Sequence, residues 1–273
     1  MPELPEVEIA RRNLLRWFDG RRVIRAEADR RARTFRGADP ALFEKIEGRL
    51  EDASRHGKYL LLAFESGRGA LAHLGMTGKF VRRPEGHPEP YSRARFHLDD
   101  GQVIHYRDPR LFGRIEPVAS SDLRQLPVVR ALGIDPMVDG LTARSLARAV
   151  GGSKQDLKVA LMDQSRIAGL GNIHAAEALF RARLHPARKP ATLRADEWRR
   201  LARAIRATLR FALESEESEE IEYVEEPGSA NPFKIYGRAG ERCPRCGTKV
   251  QSFTQGGRTT HFCPRCQPRK SKR

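Results

Sequence analysis

Cys243-Pro-Arg-Cys246 and Cys263-Pro-Arg-Cys266 are separated by sixteen residues. No other feature constrains so tightly what the end of this chain can fold into. Each C-x2-C forms a knuckle that presents two thiolates, and two knuckles complete a tetrahedron. The spacing reads as zinc, in preference to a rubredoxin-like iron site or four unrelated thiols. Four thiolates leave no open coordination position, so one structural Zn2+ is expected. Between the knuckles, Ser252 to Phe262 reads as a β-hairpin with a Gly256-Gly257 tip. A segment this short cannot bury a core and needs the metal to fold. Arg258, beside the tip, is expected to project outward, either as a phosphate contact or as a solvated side chain.

The charge balance points the same way. Lys and Arg number 51 against 35 Asp and Glu in 273 residues, a formal net charge of +16. Such an excess favours a polyanionic partner through counterion release. No apolar run approaches the roughly 18 residues needed to span a bilayer, so no membrane partner is expected. The start, Met1-Pro2-Glu3-Leu4-Pro5-Glu6, is acidic and proline-rich, unlike a signal peptide. A reducing cytoplasm is therefore expected, where four cysteines hold metal rather than form disulfides.

Along the chain the expected class is α+β and multidomain. Val7, Ala10, Leu14 and Phe18 recur at helical spacing after Pro5, with Gly20 to end the helix. Strand-like runs follow at 22–28, 59–64, 70–74, 93–98 and 102–106, the last two flanking an Asp99-Asp100-Gly101 turn. This predicts a β-sandwich or barrel with one helix over 1–118. Residues 119–222 read as helical: Thr142 and Ser153 are expected N-caps for 143–150 and 154–163, and 172–182 and 196–213 are further helices. Gly169 and Gly171 force a tight turn before Asn172. Residues 223–273 form a linker and the cysteine module. Eight glutamates between Glu214 and Glu226 read as a solvated, mobile linker.

The N-terminus carries its own chemistry. With Met1 removed, Pro2 offers a secondary amine. An α-amine titrates near about 7.7–8.0, far below lysine, so more of it is a free nucleophile at neutral pH. Such an amine attacks an electrophilic sugar carbon and forms an iminium, and the adjoining Glu3 can move protons.

The start Met1–Glu8 resembles that of the formamidopyrimidine-DNA glycosylase family. So do His73-Leu74-Gly75-Met76-Thr77-Gly78, Arg107-Asp108-Pro109-Arg110-Leu111-Phe112-Gly113, Met162-Asp163-Gln164 with Ile167–Leu179, Tyr236-Gly237-Arg238 and the four-cysteine finger. These motifs span nearly the whole chain in family order. The resemblance implies an N-terminal β-sandwich, a helix–two-turn–helix domain and a C-terminal zinc-finger hairpin, with damaged double-stranded DNA bound in the cleft by a monomer near the bacterial nucleoid. It implies that Pro2 attacks C1′ of an extruded nucleotide, that Glu3 protonates the ring oxygen, and that β- and δ-elimination then nick the strand. Lys58 is implied in phosphate contact and elimination, and Arg258 in phosphate grip and δ-elimination. Met76, Arg110 and Phe112 are implied as the residues that fill the vacated stack. His73, Lys154, Asn172 and Tyr236 are implied as DNA contacts, and Lys158 as lying near the damaged base.

The chain departs from the family pattern twice. Tyr91-Ser92-Arg93 stands where the family often has two histidines, leaving Arg93 as a phosphate contact. The glycine-rich stretch that caps 8-oxoguanine is replaced by the glutamate run and Pro227–Phe233. Those glutamates are expected to face solvent or the damaged base, and lesion preference is expected to lean to ring-opened or otherwise oxidised bases. Two alternatives stay open: an endonuclease VIII-like enzyme for oxidised pyrimidines, and an inactive damage-binding protein.

Overall fold

A computed structural model describes residues 2–214, 220–224, 226 and 228–269. The chain divides into two compact units: residues 1–131 with 216–229, and residues 132–215 with 230–273. Met1, whose removal the sequence reading requires, lies outside the described residues.

The first unit opens with α1 (Leu4–Phe18), whose Leu4, Val7, Ala10, Leu14 and Trp17 are buried at the expected helical spacing. β1 (Arg22–Ala28) and the single-turn α2 (Pro40–Phe43) follow. Then come β2 (Gly48–His56), β3 (Tyr59–Phe64), β4 (Arg68–His73), β5 (Lys79–Pro84), β6 (Ser92–Leu98), β7 (Gln102–Arg107) and β8 (Arg114–Ala119). The single turn α2 adds to the one helix expected over 1–118, while a second single turn, α3 (Pro127–Arg130), falls in the stretch read as helical. The strands run in the order β5-β7-β6-β1-β2-β3-β4-β8 and every pair is antiparallel. In a flat sheet β3 and β6, three strand steps apart, would be about 14 Å apart. Yet the Phe64 and Phe96 rings stack at 5.4 Å, with Phe18 edge-on to them at 5.7 and 5.6 Å. The sheet therefore folds over on itself into the expected sandwich, and α1 supplies the aromatic edge of its core.

Glu8 fastens α1 to the sheet. Its buried carboxylate accepts from Arg11, Arg12 and Arg55 at 2.8, 2.9 and 3.2 Å, and Arg55 also donates to the Gly57 carbonyl at 3.1 Å. Burial pushes the Glu8 pKa up, but its bonds and proximity to these arginines outweigh that and bring it from 4.5 down to about 2.

The second unit contains α4 (Ala143–Val150), α5 (Leu157–Met162), α6 (Asn172–Ala182) and α7 (Ala195–Glu214). Thr142 caps α4 as expected, its Oγ1 accepting from the Ser145 N–H at 3.0 Å. Ser153 does not cap α5. Its hydroxyl closes a turn with the Gln155 N–H at 3.2 Å. The helix starts later because the carbonyls of Arg188 and Pro186 take the Leu157 and Lys158 N–H groups at 2.7 and 3.1 Å. β9 (Gln251–Gln255) and β10 (Arg258–Phe262) form the expected hairpin. Its two-residue turn needs positive φ at both positions, and Gly256 and Gly257 supply 54° and 69°.

Because Glu8 has a lower pKa folded than unfolded, it stabilises the fold above its ordinary pKa and loses that contribution as pH falls from about 4.5 towards 2. The contribution is about 2 kcal/mol after allowance for solvent screening. Glu8→Gln is expected to lower stability at pH 7 by about 3 kcal/mol, since Arg55 loses its counter-charge. It should also flatten that acid-side fall, as read by urea denaturation at a series of pH values.

Candidate nucleic-acid interface and metal centre

Pro2 and Glu3 are both buried at the head of α1, and Glu3 is only 1% exposed. Glu3 is the N-cap, and its N–H donates to the Glu6 carboxylate at 2.8 Å. This fixes the backbone next to Pro2 to a rigid helix. Lys58 sits in the two-residue turn between β2 and β3, where Gly57 takes φ 56°. It lies close enough to His73, the last residue of β4, to perturb it. Burial and then the Lys58 charge bring the His73 pKa down to about 4. His73 is therefore neutral at physiological pH. Its Nδ1 accepts from the Gly75 N–H at 3.0 Å, so its proton resides on Nε2.

Met76 and the Arg110–Phe112 pair occupy two loops locked together by residues that sequence reasoning did not single out. Asp108 is fully buried and accepts from Thr77 Oγ1, the Arg110 N–H and the Gly113 N–H at 3.0, 3.3 and 2.7 Å. The Tyr106 hydroxyl donates to the His73 carbonyl at 3.2 Å. A Cβ on Gly75 would lie 2.4 Å from the Phe112 carbonyl carbon, and one on Gly113 would lie 1.7 Å from Tyr106 Oη. Only glycine permits the two loops to pack this closely. Leu111 adopts φ 56°, a strained conformation, and beside it Phe112 is 46% exposed. Arg110 lies over the Phe112 ring at 5.0 Å. Arg93 is engaged internally, its Nε on the Asp108 carbonyl and its Nη1 on Asp29, both at 3.1 Å.

The glutamate run is not wholly a solvated linker. Part of it (215–219 and 225) lies outside the described residues. The described part docks on the first unit. Ile221 and Tyr223 are buried, and the Tyr223 hydroxyl donates to the Gly78 carbonyl at 2.6 Å. Lys79 donates to the Ile221 carbonyl at 3.2 Å and pairs with Glu226 at 3.3 Å, while Arg83 pairs with Glu220. The expectation failed because β5, Lys-Phe-Val-Arg-Arg-Pro, supplies cations on the edge of a strand that its charge had concealed.

In the second unit a tight turn leads into α6. Gln164 holds it, donating to the Met162 and Leu170 carbonyls at 2.7 and 2.8 Å and accepting from the Gly169 N–H at 2.8 Å. Asn172 is the first residue of α6, and its side-chain oxygen accepts from Lys158. Lys158 is fully buried and also donates to Thr260 of β10 at 2.8 Å. Lys154 is exposed. The Glu177 carboxylate accepts three backbone N–H groups, of Lys234, Ile235 and Tyr236, at 3.1, 2.7 and 3.0 Å. Tyr236 thereby stands edge-on to His261 at 5.4 Å. The signal for Glu177 was a lone acid within the otherwise apolar Ala175–Phe180.

The four cysteine Sγ atoms lie within 4.8 Å of one another, with Cys243–Cys266 at 3.9 Å and Cys246–Cys263 at 3.5 Å. Four sulfurs about 2.3 Å from a tetrahedral zinc stand roughly 3.8 Å apart, so the thiols fit one structural Zn2+. Cys243 and Cys263 pack with Ala176, Phe180, Ile235 and Val250. Gln267 accepts from the Cys263 N–H and donates to the Leu184 carbonyl at 3.0 and 2.8 Å. The finger is thus fixed to α6, and Arg258 stands exposed at the start of β10, as expected.

Three family models match the chain. Residues 1–115 match the formamidopyrimidine-DNA glycosylase N-terminal domain, 132–222 its H2TH domain, and 240–269 the zinc finger found in FPG and IleRS. The chain is 40% identical over 298 residues to the formamidopyrimidine-DNA glycosylase of Chelativorans sp., covering 98% of this chain and 100% of that one. It is 41% identical over 277 residues to that of Thermus thermophilus, covering 98% of each. The crystal structure of the MutM (Fpg) protein of T. thermophilus superposes with a TM-score of 0.81 at 38% identity, over 99% of this chain and 100% of that one. Lactococcus lactis Fpg with Fapy-dG containing DNA superposes with a TM-score of 0.86 at 29% identity, over 98% and 100%.

Two outcomes test this geometry. Metal analysis should find one zinc per chain, and a strong chelator should abolish hydrogen-exchange protection in Gln251–Phe262 while α1 and the sandwich strands keep theirs. Tyr223→Phe removes one hydrogen bond worth about 1 kcal/mol, so amide exchange in 220–226 should quicken by about fivefold.

Proposed function

The chain belongs to the formamidopyrimidine-DNA glycosylase family, and from that premise we propose that it removes damaged bases through the amine of Pro2. It is a base-excision repair DNA glycosylase with AP lyase activity, acting on damaged duplex DNA. The observation that carries the chemistry is the pairing of Pro2 with a buried Glu3 at a helix start, in the same unit as the glycine-built loops bearing Met76, Arg110 and Phe112.

With Met1 removed, the Pro2 nitrogen attacks C1′ of the extruded nucleotide. The C1′–base bond breaks, and the base leaves with its electron pair and takes up the proton that the Pro2 nitrogen gives up. Glu3 gives a proton to the ring oxygen, the ring opens, and an iminium links Pro2 to the sugar. Loss of the 3′ and then the 5′ phosphate by β- and δ-elimination nicks the strand. Lys58 holds phosphate and assists elimination, and Arg258 does the same from the hairpin. Met76 and Phe112 occupy the vacated stack and Arg110 hydrogen-bonds the orphaned base. His73, Arg93, Lys154, Asn172 and Tyr236 position the backbone. Full burial of Lys158 favours action through Asn172 and Thr260 rather than direct reach to a base. The enzyme acts as a monomer in the cytoplasm, with the nucleoid as its substrate. Zinc supplies no step; it folds the hairpin.

The docked acidic segment supports a lesion preference leaning to ring-opened or otherwise oxidised bases over 8-oxoguanine. Excision rates across a panel of lesions test this, and 8-oxoguanine opposite cytosine as the best substrate would refute it. Glu3→Gln is expected to slow base excision by about 10²-fold or more, in single-turnover assays on a ring-opened purine.

A further inference from the structure

The positive charge of this chain is unevenly matched. On the first unit several surface arginines are paired, among them Arg22 with Glu65 at 2.8 Å, Arg114 with Glu116 at 2.8 Å, and Arg21 with Asp100, while others such as Arg31 and Arg36 are exposed without a carboxylate partner among the described residues. Helix α7 differs. Arg199, Arg203, Arg206 and Arg210 are all exposed at spacings of four, three and four residues. At about 100° per residue they fall on one face, and at about 1.5 Å rise per residue they span about 16 Å. Trp198, Leu201, Ile205 and Leu209 bury the opposite face. The acids at the start of the helix are already committed, Asp196 to Arg194 and Arg200, and Glu197 to Arg188. Among the described residues, no carboxylate lies within 4.0 Å of Arg199, Arg203 or Arg210. Arg206 donates to the Leu141 carbonyl, so the stripe passes beside the start of α4. There Arg144 and Arg148, one turn apart, are exposed and likewise without a carboxylate partner among the described residues.

Lone exposed arginines are ordinary, but a row of them is not isoenergetic with scattered ones. Like charges one turn apart repel by a few tenths of a kcal/mol per pair, so the fold sustains this row against its own stability. The row contains no exposed aromatic or large aliphatic anchor of the kind that dominates protein–protein interfaces; Ala207 is the exposed neighbour between Arg206 and Arg210. Charges at intervals of about 5–6 Å along a straight rod suit a polyanion of regular spacing, and the phosphate backbone is one. None of these residues belongs to the lesion-binding set above.

We propose that the α7 arginine stripe is a second, sequence-independent binding surface for the phosphate backbone of duplex DNA, separate from the lesion site. The proposal rests on the family reading for the identity of the polyanion. A second surface lets one molecule touch two DNA segments at once and pass between them without full dissociation.

The test uses the full-length zinc-loaded protein and short undamaged duplexes. Wild type is expected to bind a second duplex at low salt, with steep salt dependence. The triple variant Arg199→Gln, Arg203→Gln, Arg210→Gln should lose that second duplex by at least tenfold in affinity and reduce its log–log salt slope by about three. Binding of the first duplex and single-turnover excision should be unchanged. One duplex bound at every salt concentration, or a second site untouched by the variant, overturns the proposal. So does a second site that appears only after Glu216, Glu217 and Glu219 are changed to glutamine, or a stripe that takes polyglutamate in preference to duplex. Failure of the family reading would register separately, as absent excision by wild type.

Discussion

A fully buried ammonium organises the second unit. Lys158 is removed from water, and a buried charge survives only where hydrogen-bond partners replace its hydration. Its Nζ donates to Asn172 at the start of α6 and to Thr260 in β10, so two consecutive helices and a strand 102 residues further along the chain meet at one atom. The consequence is positional. The turn built by Gln164 and Gly169 can present Asn172 in only one way, and the hairpin cannot rotate about its knuckles without breaking the Thr260 bond. Burial, followed by the Lys158 charge, also lowers the pKa of the adjacent His261. Zinc fixes the base of the hairpin while Lys158 fixes its middle.

The first unit uses a buried anion in the same way. Asp108 ties Thr77, Arg110 and Gly113 together, and the loops bearing Met76 and Phe112 become one object. Phe112 is exposed and Met76 half-buried, and the wedge role proposed for them would need this support. A side chain intended to enter a base stack must hold its position when the stack pushes back, and backbone held by a buried carboxylate does so. The acidic segment adds a further brace through Tyr223 on Gly78, in the loop that carries Met76.

Much of this was legible in the sequence, and the omissions share a cause. Helical periodicity marked α1, α6 and α7, and the cysteine spacing marked the finger, because those patterns are local. Three strands, β2, β5 and β8, went unseen. Gly-Arg-Leu-Glu-Asp-Ala-Ser-Arg-His and Lys-Phe-Val-Arg-Arg-Pro carry charges whose partners lie on other elements, so no alternation of apolar and polar residues survives in them. Asp108 stood within a recognised motif, yet its role depends on two loops meeting. Glu8 and Glu177 look like surface acids until their helices are packed. Residues of chemistry were readable by type and spacing; residues that position them were not, since positioning is a property of contacts remote in sequence.

The central claim is that the amine of Pro2, exposed by removal of Met1, is the nucleophile. It is tested most directly by borohydride reduction of the enzyme on DNA containing an abasic site, followed by peptide mapping of the trapped adduct. The account predicts a covalent complex whose DNA remnant is attached to the peptide beginning at Pro2. Attachment to Lys58 or another lysine, or binding of the abasic DNA with no trapped complex, would contradict it.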